Sequence, residues 1–262
     1  MTILQQILNK KAEQLPGLKA TKPNFASIEK KRKSLYESLM QSPTLQVISE
    51  MKRASPSKGD IATNVDPIAQ TTLYEEAGAC CVSVLTESHY FKGSYDDLHA
   101  VAKNVSIPVL CKDFIIDEVQ IDYAKAAGAS VILLIVAALS KERLHQLFSY
   151  AHKLGLEVLV EVHDVAELEI GLSVGANIVG VNNRNLKTFE VDLKHTETIA
   201  NYLKAENVAF ISESGIFTSD DAKQVASYGA RAILVGESLM RSDNVAQSLQ
   251  ALQVPLLREV VK

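Results

Sequence analysis

The stretch Val47 to Ile61, V-I-S-E-M-K-R-A-S-P-S-K-G-D-I, sets an acid and a base two residues apart, Glu50 and Lys52. Val47, Ile48 and Met51 mark its start as a strand. In a strand, residues i and i+2 share a face, so Ile48, Glu50 and Lys52 line one side with the charges at the C-terminal end. The run S-P-S-K-G-D that follows is expected to be a loop. The same arrangement recurs further on. Lys112 stands two beyond Leu110, Glu161 two beyond Leu159, and Glu213 two beyond Ile211, while Asn182 and Arg184 follow I-V-G-V. Lysines and carboxylates held together shift one another's proton affinities and support general acid–base chemistry, and Lys112 is equally open to Schiff-base formation. Glu161 lies between Val160 and Val162. A lone buried carboxylate is costly, so it requires a partner or a task.

These residues need a scaffold that brings strand ends together. Apolar runs centred on Ile48, Val82, Leu110, Leu133, Leu159, Val179, Ile211 and Leu234 alternate with helical patterns. Asp66 before Pro67 is a helix N-cap with proline at the first helical position; Ser94, Asp117, Ser140, Asp164, Ser219 and Asp243 are further expected caps. Four helices end in a glycine followed by alanine, at Gly78, Gly128, Gly175 and Gly229, spaced 50, 47 and 54 residues apart. Glycine suits the left-handed turn that ends a helix. The spacing describes four units of two strands and two helices, hence a (β/α)8 TIM barrel. An open doubly wound sheet would show an early G-x-G-x-x-G, which is missing. The whole of 1–262 is expected to be one barrel domain, with residues 1–45 as an N-terminal helical extension. In that extension, Ile3, Leu4, Ile7, Leu8 and Ala12 predict an amphipathic helix to about Gln14, stopped by Pro16-Gly17. A second helix is expected over Ile28 to Met40, with Lys30-Lys31-Arg32-Lys33 on a solvated face rather than in a binding patch.

Composition narrows the function. The chain has 262 residues, 47% hydrophobic, and a formal net charge of -4, which gives no electrostatic case for a nucleic-acid partner. Cys80, Cys81 and Cys111 sit in apolar runs without metal-ligand spacing and are read as reduced thiols. His163, two beyond Glu161, is read as structural or as a support to that carboxylate. No metal and no cofactor is expected. The longest apolar run, Val131 to Leu139, falls short of the ~20 residues that span a bilayer. The start of the chain lacks the apolar core of a signal peptide. A cytoplasmic protein without a membrane partner follows as the expectation, and a monomer.

In a barrel of this kind the active site lies at the C-terminal ends of the strands. Glu50, Lys52, Lys112, Glu161, Asn182, Arg184 and Glu213 would then crowd one mouth about 10–15 Å wide. Ser83 and Glu87 come from the second strand, while the fourth offers nothing polar. Ser214-Gly215 follows the seventh strand and Gly236-Glu237-Ser238 the eighth. Barrels often bind a phosphate between those loops on backbone N–H groups, and Ser57 in the first loop could add a hydroxyl. Read from its residues, the chain is a barrel enzyme doing acid–base chemistry on a phosphorylated small molecule.

Longer stretches carry a family resemblance: I-S-E-M-K-R-A-S-P-S-K-G at 48–59, S-V-L-T-E at 83–87, Y-F-K-G-S at 90–94, L-C-K-D-F-I at 110–115, L-V-E-V-H at 159–163, I-V-G-V-N-N-R-N-L at 178–186, I-S-E-S-G-I at 211–216 and L-V-G-E-S-L-M-R at 234–241. Together they resemble the indole-3-glycerol phosphate synthase family. Asn183 stands where many relatives have serine. The resemblance implies ring closure, decarboxylation and dehydration of 1-(2-carboxyphenylamino)-1-deoxyribulose 5-phosphate, a lyase step of tryptophan biosynthesis. By position, Lys112 would protonate the ribulose carbonyl oxygen. Glu161 would act as base or steady the developing positive charge. Glu50 and Lys52 would form a charge pair, with Lys52 meeting the substrate carboxylate or assisting dehydration; the two lysines could exchange roles. Clustered cations would lower the pKa of the lysine acting as acid. Asn182 and Ser214 would hold the ribulose hydroxyls and the leaving water, and Arg184 would support the charge network. Ser57, Gly215, Gly236 and the backbone of Glu237 would cradle the phosphate. Phe91 and Phe114 would wall the aromatic ring, and Ser83, Glu213 and Leu234 complete the implied substrate-binding set. The rival readings are a sugar-phosphate isomerase resembling phosphoribosylanthranilate isomerase and a non-catalytic phosphate-binding barrel.

Overall fold

The structure, a computed structural model, describes residues 1–185, 188–203 and 207–256. Among these residues eight parallel strands close into a barrel. They are β1 (Gln46–Met51), β2 (Cys81–Leu85), β3 (Val109–Lys112), β4 (Val131–Ile135), β5 (Glu157–Val162), β6 (Ile178–Asn182), β7 (Ala209–Glu213) and β8 (Ala232–Val235). The ring closes through β1, which sets Ile48 opposite Leu234 of β8 and opposite Cys81 of β2. Each expected strand centre falls inside its strand. The expected end of the domain at residue 262 and Leu186 of the sixth-strand motif lie outside the described residues.

Strand alternation explains how the site is delivered. Ile48, Leu110, Leu133, Leu159 and Ile211 point into the barrel and pack on one another. Val47, Val82, Val109, Val158, Val179, Phe210 and Ile233 point outward against the helices. Because side chains repeat every second residue, Glu50, Lys112, Glu161 and Glu213 share the inward face and emerge at the mouth. The outer ring is α3 (Pro67–Glu76), α4 (Tyr95–Asn104), α5 (Glu118–Ala126), α6 (Lys141–Lys153), α7 (Val165–Ser173), α8 (Lys194–Tyr202), α9 (Ser219–Ser227), α10 (Glu237–Met240) and α11 (Val245–Leu252); α1 (Ile3–Ala20) and α2 (Leu35–Gln41) precede the barrel. Gly78, Gly128, Gly175 and Gly229 all adopt left-handed φ of 92° to 99°, as the repeat requires. Asp66, Ser94, Asp117, Ser140 and Asp164 cap their helices. The last two caps differ from expectation by one residue. Thr218 rather than Ser219 caps α9, within a reciprocal capping box with Asp221, and Asn244 rather than Asp243 caps α11.

The N-terminal extension departs most from the sequence reading. α1 does not stop at Pro16 but runs through it to Ala20, because its last turn is held from outside. Lys19 pairs with Asp117 at 2.6 Å, and the Thr21 hydroxyl meets the Tyr123 hydroxyl at 2.6 Å. The second helix is shorter than expected. Residues 22–34 form an irregular strap, and α2 begins at Leu35. The basic run lies on this strap rather than on a helix: Lys31 and Lys33 are exposed, as expected, but Lys30 and Arg32 have structural partners. Lys30 donates to the carbonyls of Asn104 and Val105, and Arg32 to those of Gly128 and Ala102, satisfying groups at the ends of α4 and α5. α2 then plugs the bottom of the barrel. The Glu157 carboxylate, at the start of β5, accepts from Ser34 Oγ and from the N–H groups of Leu35 and Tyr36. This places a negative charge at the positive end of the helix. Leu35 and Leu39 are fully buried among the inward-facing side chains, worth about 2 kcal/mol each. No helix among the described residues is long and apolar enough to cross a membrane.

Candidate active site

The mouth of the barrel opens into a cavity with two ends of different character. Its floor is a charge cluster. Lys112 Nζ lies 2.6 Å from Glu213 Oε2 and 3.5 Å from Glu161 Oε2. Lys52 Nζ lies 2.8 Å from Glu50 Oε1. Asn182 Nδ2 donates to Glu161 Oε1 at 3.2 Å, and Asn182 Oδ1 accepts from the Arg184 N–H at 3.0 Å. Glu161 therefore has the partners its burial demanded. His163 adds another, with Nε2 3.6 Å from Glu161 Oε1 and Nδ1 3.1 Å from Glu167 Oε2. Two glycines make room. A Cβ on residue 180 would stand 2.1 Å from Glu213 Oε1, so the glycine in β6 lets that carboxylate lie across the neighbouring strand toward Lys112. A Cβ on residue 236 would stand 2.8 Å from Glu50 Oε1 and 3.3 Å from Lys52 Nζ, which puts the Glu50–Lys52 pair against the eighth-strand loop.

Proton affinities in the cluster differ from the sequence expectation. Burial alone would push the Lys112 ammonium down, but Glu213, Glu161 and Glu50 outweigh it and its pKa is raised. Its nearest neighbours are carboxylates, not the cations expected to lower it. Burial pushes the Glu213 carboxyl up to about 7; Lys112 opposes this, and the charges of Glu161 and Glu50 add to it. Glu50 goes the other way. Its burial, which would raise it, is outweighed by Lys52 and Lys112, and its pKa is lowered. Three carboxylates, Glu50, Glu161 and Glu213, thus face the cations Lys52 and Lys112, while Arg184 lines the same cavity and donates to the Phe189 carbonyl.

One end of the cavity is apolar. Phe91 and Phe114 stack with ring centroids 5.9 Å apart, and Leu133 and Ile135 of the strand without polar groups stand near them on the wall. Glu87 does not face the cavity. Its buried carboxylate accepts from the N–H groups of His89, Tyr90 and Phe91 and so shapes the loop that presents Phe91. Ile3, Leu4 and Ile7 of α1 line the same cavity. The sequence showed their helical spacing, but nothing in it told where the helix docks. A buried ion pair fixes that docking: Lys11 Nζ lies 2.9 Å from Asp113 Oδ1, and the Thr86 and Tyr95 hydroxyls donate to Asp113 Oδ2 at 2.8 and 3.3 Å.

The other end is built from loops. Ser214 and Gly215 take consecutive left-handed conformations, φ 68° and 83°, and Gly236 leads into the first turn of α10. The first loop is not wholly irregular. Ala54–Ser55 pairs with Gly59–Asp60 as a short antiparallel hairpin that brings Ser55 and Ser57 to the cavity, their hydroxyl oxygens 3.5 Å apart. Ser55 is a lining residue the sequence reading missed. Lys58 of the hairpin reaches Glu237 at 3.5 Å, and the Ser238 hydroxyl is buried there without a hydrogen-bond partner among the described residues.

Of the residues singled out from sequence, Glu50, Lys52, Ser57, Phe91, Lys112, Phe114, Glu161, Asn182, Arg184, Glu213, Ser214, Gly215, Leu234, Gly236 and Glu237 line this one cavity. Glu87 and His163 do not, and neither does Ser83. It pairs in register with Glu50 but is fully buried below the lining.

Sequence comparison agrees with the geometry. The family described as "Indole-3-glycerol phosphate synthase" matches residues 4–252. Among curated relatives, an indole-3-glycerol phosphate synthase of Oceanobacillus iheyensis is 49% identical over 261 residues, 100% of both chains. One of Bacillus cereus is 51% identical over 246 residues, 93% of this chain and 95% of its own. One of Exiguobacterium sibiricum is 51% identical over 253 residues, 96% of each.

Proposed function

The chain belongs to the indole-3-glycerol phosphate synthase family, a carboxy-lyase of tryptophan biosynthesis, and from that premise we propose how its cavity carries out the reaction. The substrate, 1-(2-carboxyphenylamino)-1-deoxyribulose 5-phosphate, has an aromatic end and a phosphate end, matching the apolar and loop-built ends of the cavity. The aromatic ring lies between Phe91 and Phe114 and the aliphatic wall. The phosphate meets the backbone N–H groups of Gly215, Gly236 and Glu237 and the hydroxyl of Ser57, a geometry that favours anions.

The chemistry falls to the cluster between these ends. As the ring carbon attacks the ribulose C2 carbonyl, the Lys112 ammonium donates a proton to the carbonyl oxygen, which becomes a hydroxyl. The ring nitrogen acquires positive charge, which the Glu161 carboxylate steadies. The carboxylate then leaves as carbon dioxide, its electron pair returning to the ring. Loss of the new hydroxyl as water, protonated as it leaves by the Lys52 ammonium, with removal by Glu161 of a proton from the former ribulose C1, completes the indole. Ser214 and Asn182 hold the ribulose oxygens, Lys52 meets the substrate carboxylate, and Arg184 balances the charge. The observation that carries this reading is Lys112 held between two buried carboxylates at the floor of a cavity with one apolar end. Burial pushes the Glu213 carboxyl up to about 7, so it can exchange a proton with the Lys112 amine beside it. Such positioned acid–base pairs contribute about 10²–10⁴-fold in rate. The reading includes a monomer acting in the cytoplasm.

The test is turnover of the purified protein with this substrate, followed as carbon dioxide release and the appearance of indole fluorescence. Product formation without carbon dioxide would instead favour the isomerase reading, and binding without turnover the scaffold.

A further inference from the structure

Asn183 stands beside the residues of the mechanism but faces away from the cavity. It is 1% exposed, and its side chain joins three elements. Its Nδ2 group donates to Ser212 Oγ at 2.9 Å, to the Glu213 carbonyl at 3.0 Å and to the Ser214 carbonyl at 3.1 Å. Its Oδ1 accepts from the N–H and the hydroxyl of Thr196, at 3.2 and 2.8 Å. Thr196 Oγ1 and Ser212 Oγ close the circuit at 2.7 Å. All three side chains are buried, so each bond is made without competition from water.

Two further observations give the network its purpose. α8 has no side-chain cap at its own N-cap residue, Leu193, and Asn183 Oδ1 satisfies an N–H of its first turn in place of one. On the other side, the carbonyls that Asn183 holds belong to Glu213 and Ser214. The latter is a non-glycine residue at φ 68°, followed by Gly215 at φ 83°. A left-handed serine is a strained conformation that its surroundings must over-determine. Gly215 is clamped as well, since a Cβ on it would meet Val191 Cγ1 at 2.2 Å.

We propose that Asn183 is a positioning residue for substrate binding. It anchors the Ser214–Gly215 turn to β7 and α8, so that the Ser214 hydroxyl and the Gly215 N–H meet the ribulose and phosphate of the substrate without prior reorganisation. This rests on the phosphate placement in the proposed function. Asn183 meets the cluster around Lys112 only at the backbone carbonyl of Glu213 and bonds to none of its charged side-chain groups, so it acts on binding of the phosphorylated end rather than on proton transfer.

The experiment compares Asn183→Ala and Thr196→Val with wild type, using the substrate and inorganic phosphate as a competing anion. Loss of donors holding both carbonyls raises KM and the phosphate inhibition constant about tenfold in Asn183→Ala, with kcat within about threefold. Thr196→Val removes the helix-side hydroxyl but leaves every donor to the turn in place. It lowers Tm while keeping both constants within about twofold. Unchanged KM and phosphate inhibition in folded Asn183→Ala overturn the proposal, as does an equal rise in Thr196→Val. Should Asn183→Ala not fold, Asn183→Ser, which keeps a donor but is too short to span these acceptors, is read by the same criteria. Absence of competition by phosphate in wild type overturns the phosphate placement itself, and the proposal with it. Competition in wild type with an unaltered Asn183→Ala overturns the positioning role alone.

Discussion

Replacing Lys11 by methionine isolates the contribution of the N-terminal helix. Lys11 and Asp113 are both almost completely buried and paired at 2.9 Å, and α1 presents Ile3, Leu4 and Ile7 to the cavity from the same docking. Methionine keeps the length and apolar stem of lysine but leaves the Asp113 carboxylate without its cation. Breaking a buried ion pair by removing one partner costs about 3–5 kcal/mol. Few other anchors oppose release of α1: Ile7 is buried, and Lys19 and Thr21 bond near the surface. The cost is therefore expected to appear as local undocking of α1 rather than as unfolding of the barrel. At about 1.4 kcal/mol per decade, amide-exchange protection in Ile3–Ala20 falls by about 10²- to 10³-fold or more, while that of the barrel strands holds. KM for the substrate rises as the aliphatic wall loosens. Hydrogen exchange resolved by peptide reads the first effect and steady-state kinetics the second. The double variant Lys11→Met with Asp113→Asn removes the orphaned charge and recovers most of the lost protection. Unchanged protection of α1 in Lys11→Met, or loss spread equally over the strands, would refute the view that this pair rivets the helix.

Two further predictions concern the charge cluster. Glu213 is pushed up to about 7 from an ordinary 4.5, so between these values the folded protein holds a proton that the unfolded chain has released. This contribution to stability is complete below the unfolded value and is lost as pH rises toward 7, a change on the order of 3 kcal/mol. Glu213→Gln removes that slope, so its Tm falls less than that of wild type between pH 5 and pH 8; parallel Tm curves would contradict the assignment. Gly180→Ala drives a methyl group into Glu213 Oε1. Overpacking of this kind costs about 1–3 kcal/mol, and kcat should fall about 10²-fold or more as Glu213 is displaced from Lys112, with KM less affected; an intact kcat would show that their pairing is dispensable.

Much of this architecture was legible because it follows from periodicity. Inward-facing residues at i and i+2 delivered Glu50, Lys112, Glu161 and Glu213 to one mouth, and the helix-ending glycines announced the repeat. Local chemistry was less decisive where long-range partners intervene. Pro16 reads as a helix stop, yet Asp117 and Tyr123 hold the turn beyond it. The basic run at 30–33 reads as a helix face, yet Lys30 and Arg32 serve the carbonyls of other helices. The same limit applies inside the site. Lys112 was expected beside cations, but β7 sends Glu213 across Gly180 to within 2.6 Å of it, which no spacing along the chain reveals. Ser83 satisfied the alternation and pairs in register with Glu50, but its short side chain is fully buried and does not reach the lining that the longer Glu50 does.

The central claim is that Lys112, poised between Glu213 and Glu161, is the acid of ring closure. The direct measurement is turnover of Lys112→Ala beside wild type with 1-(2-carboxyphenylamino)-1-deoxyribulose 5-phosphate, read as carbon dioxide release and indole fluorescence, with circular dichroism to establish folding. The account predicts a folded variant whose kcat is lower by about 10³-fold or more. Near-normal turnover in that folded variant would contradict it.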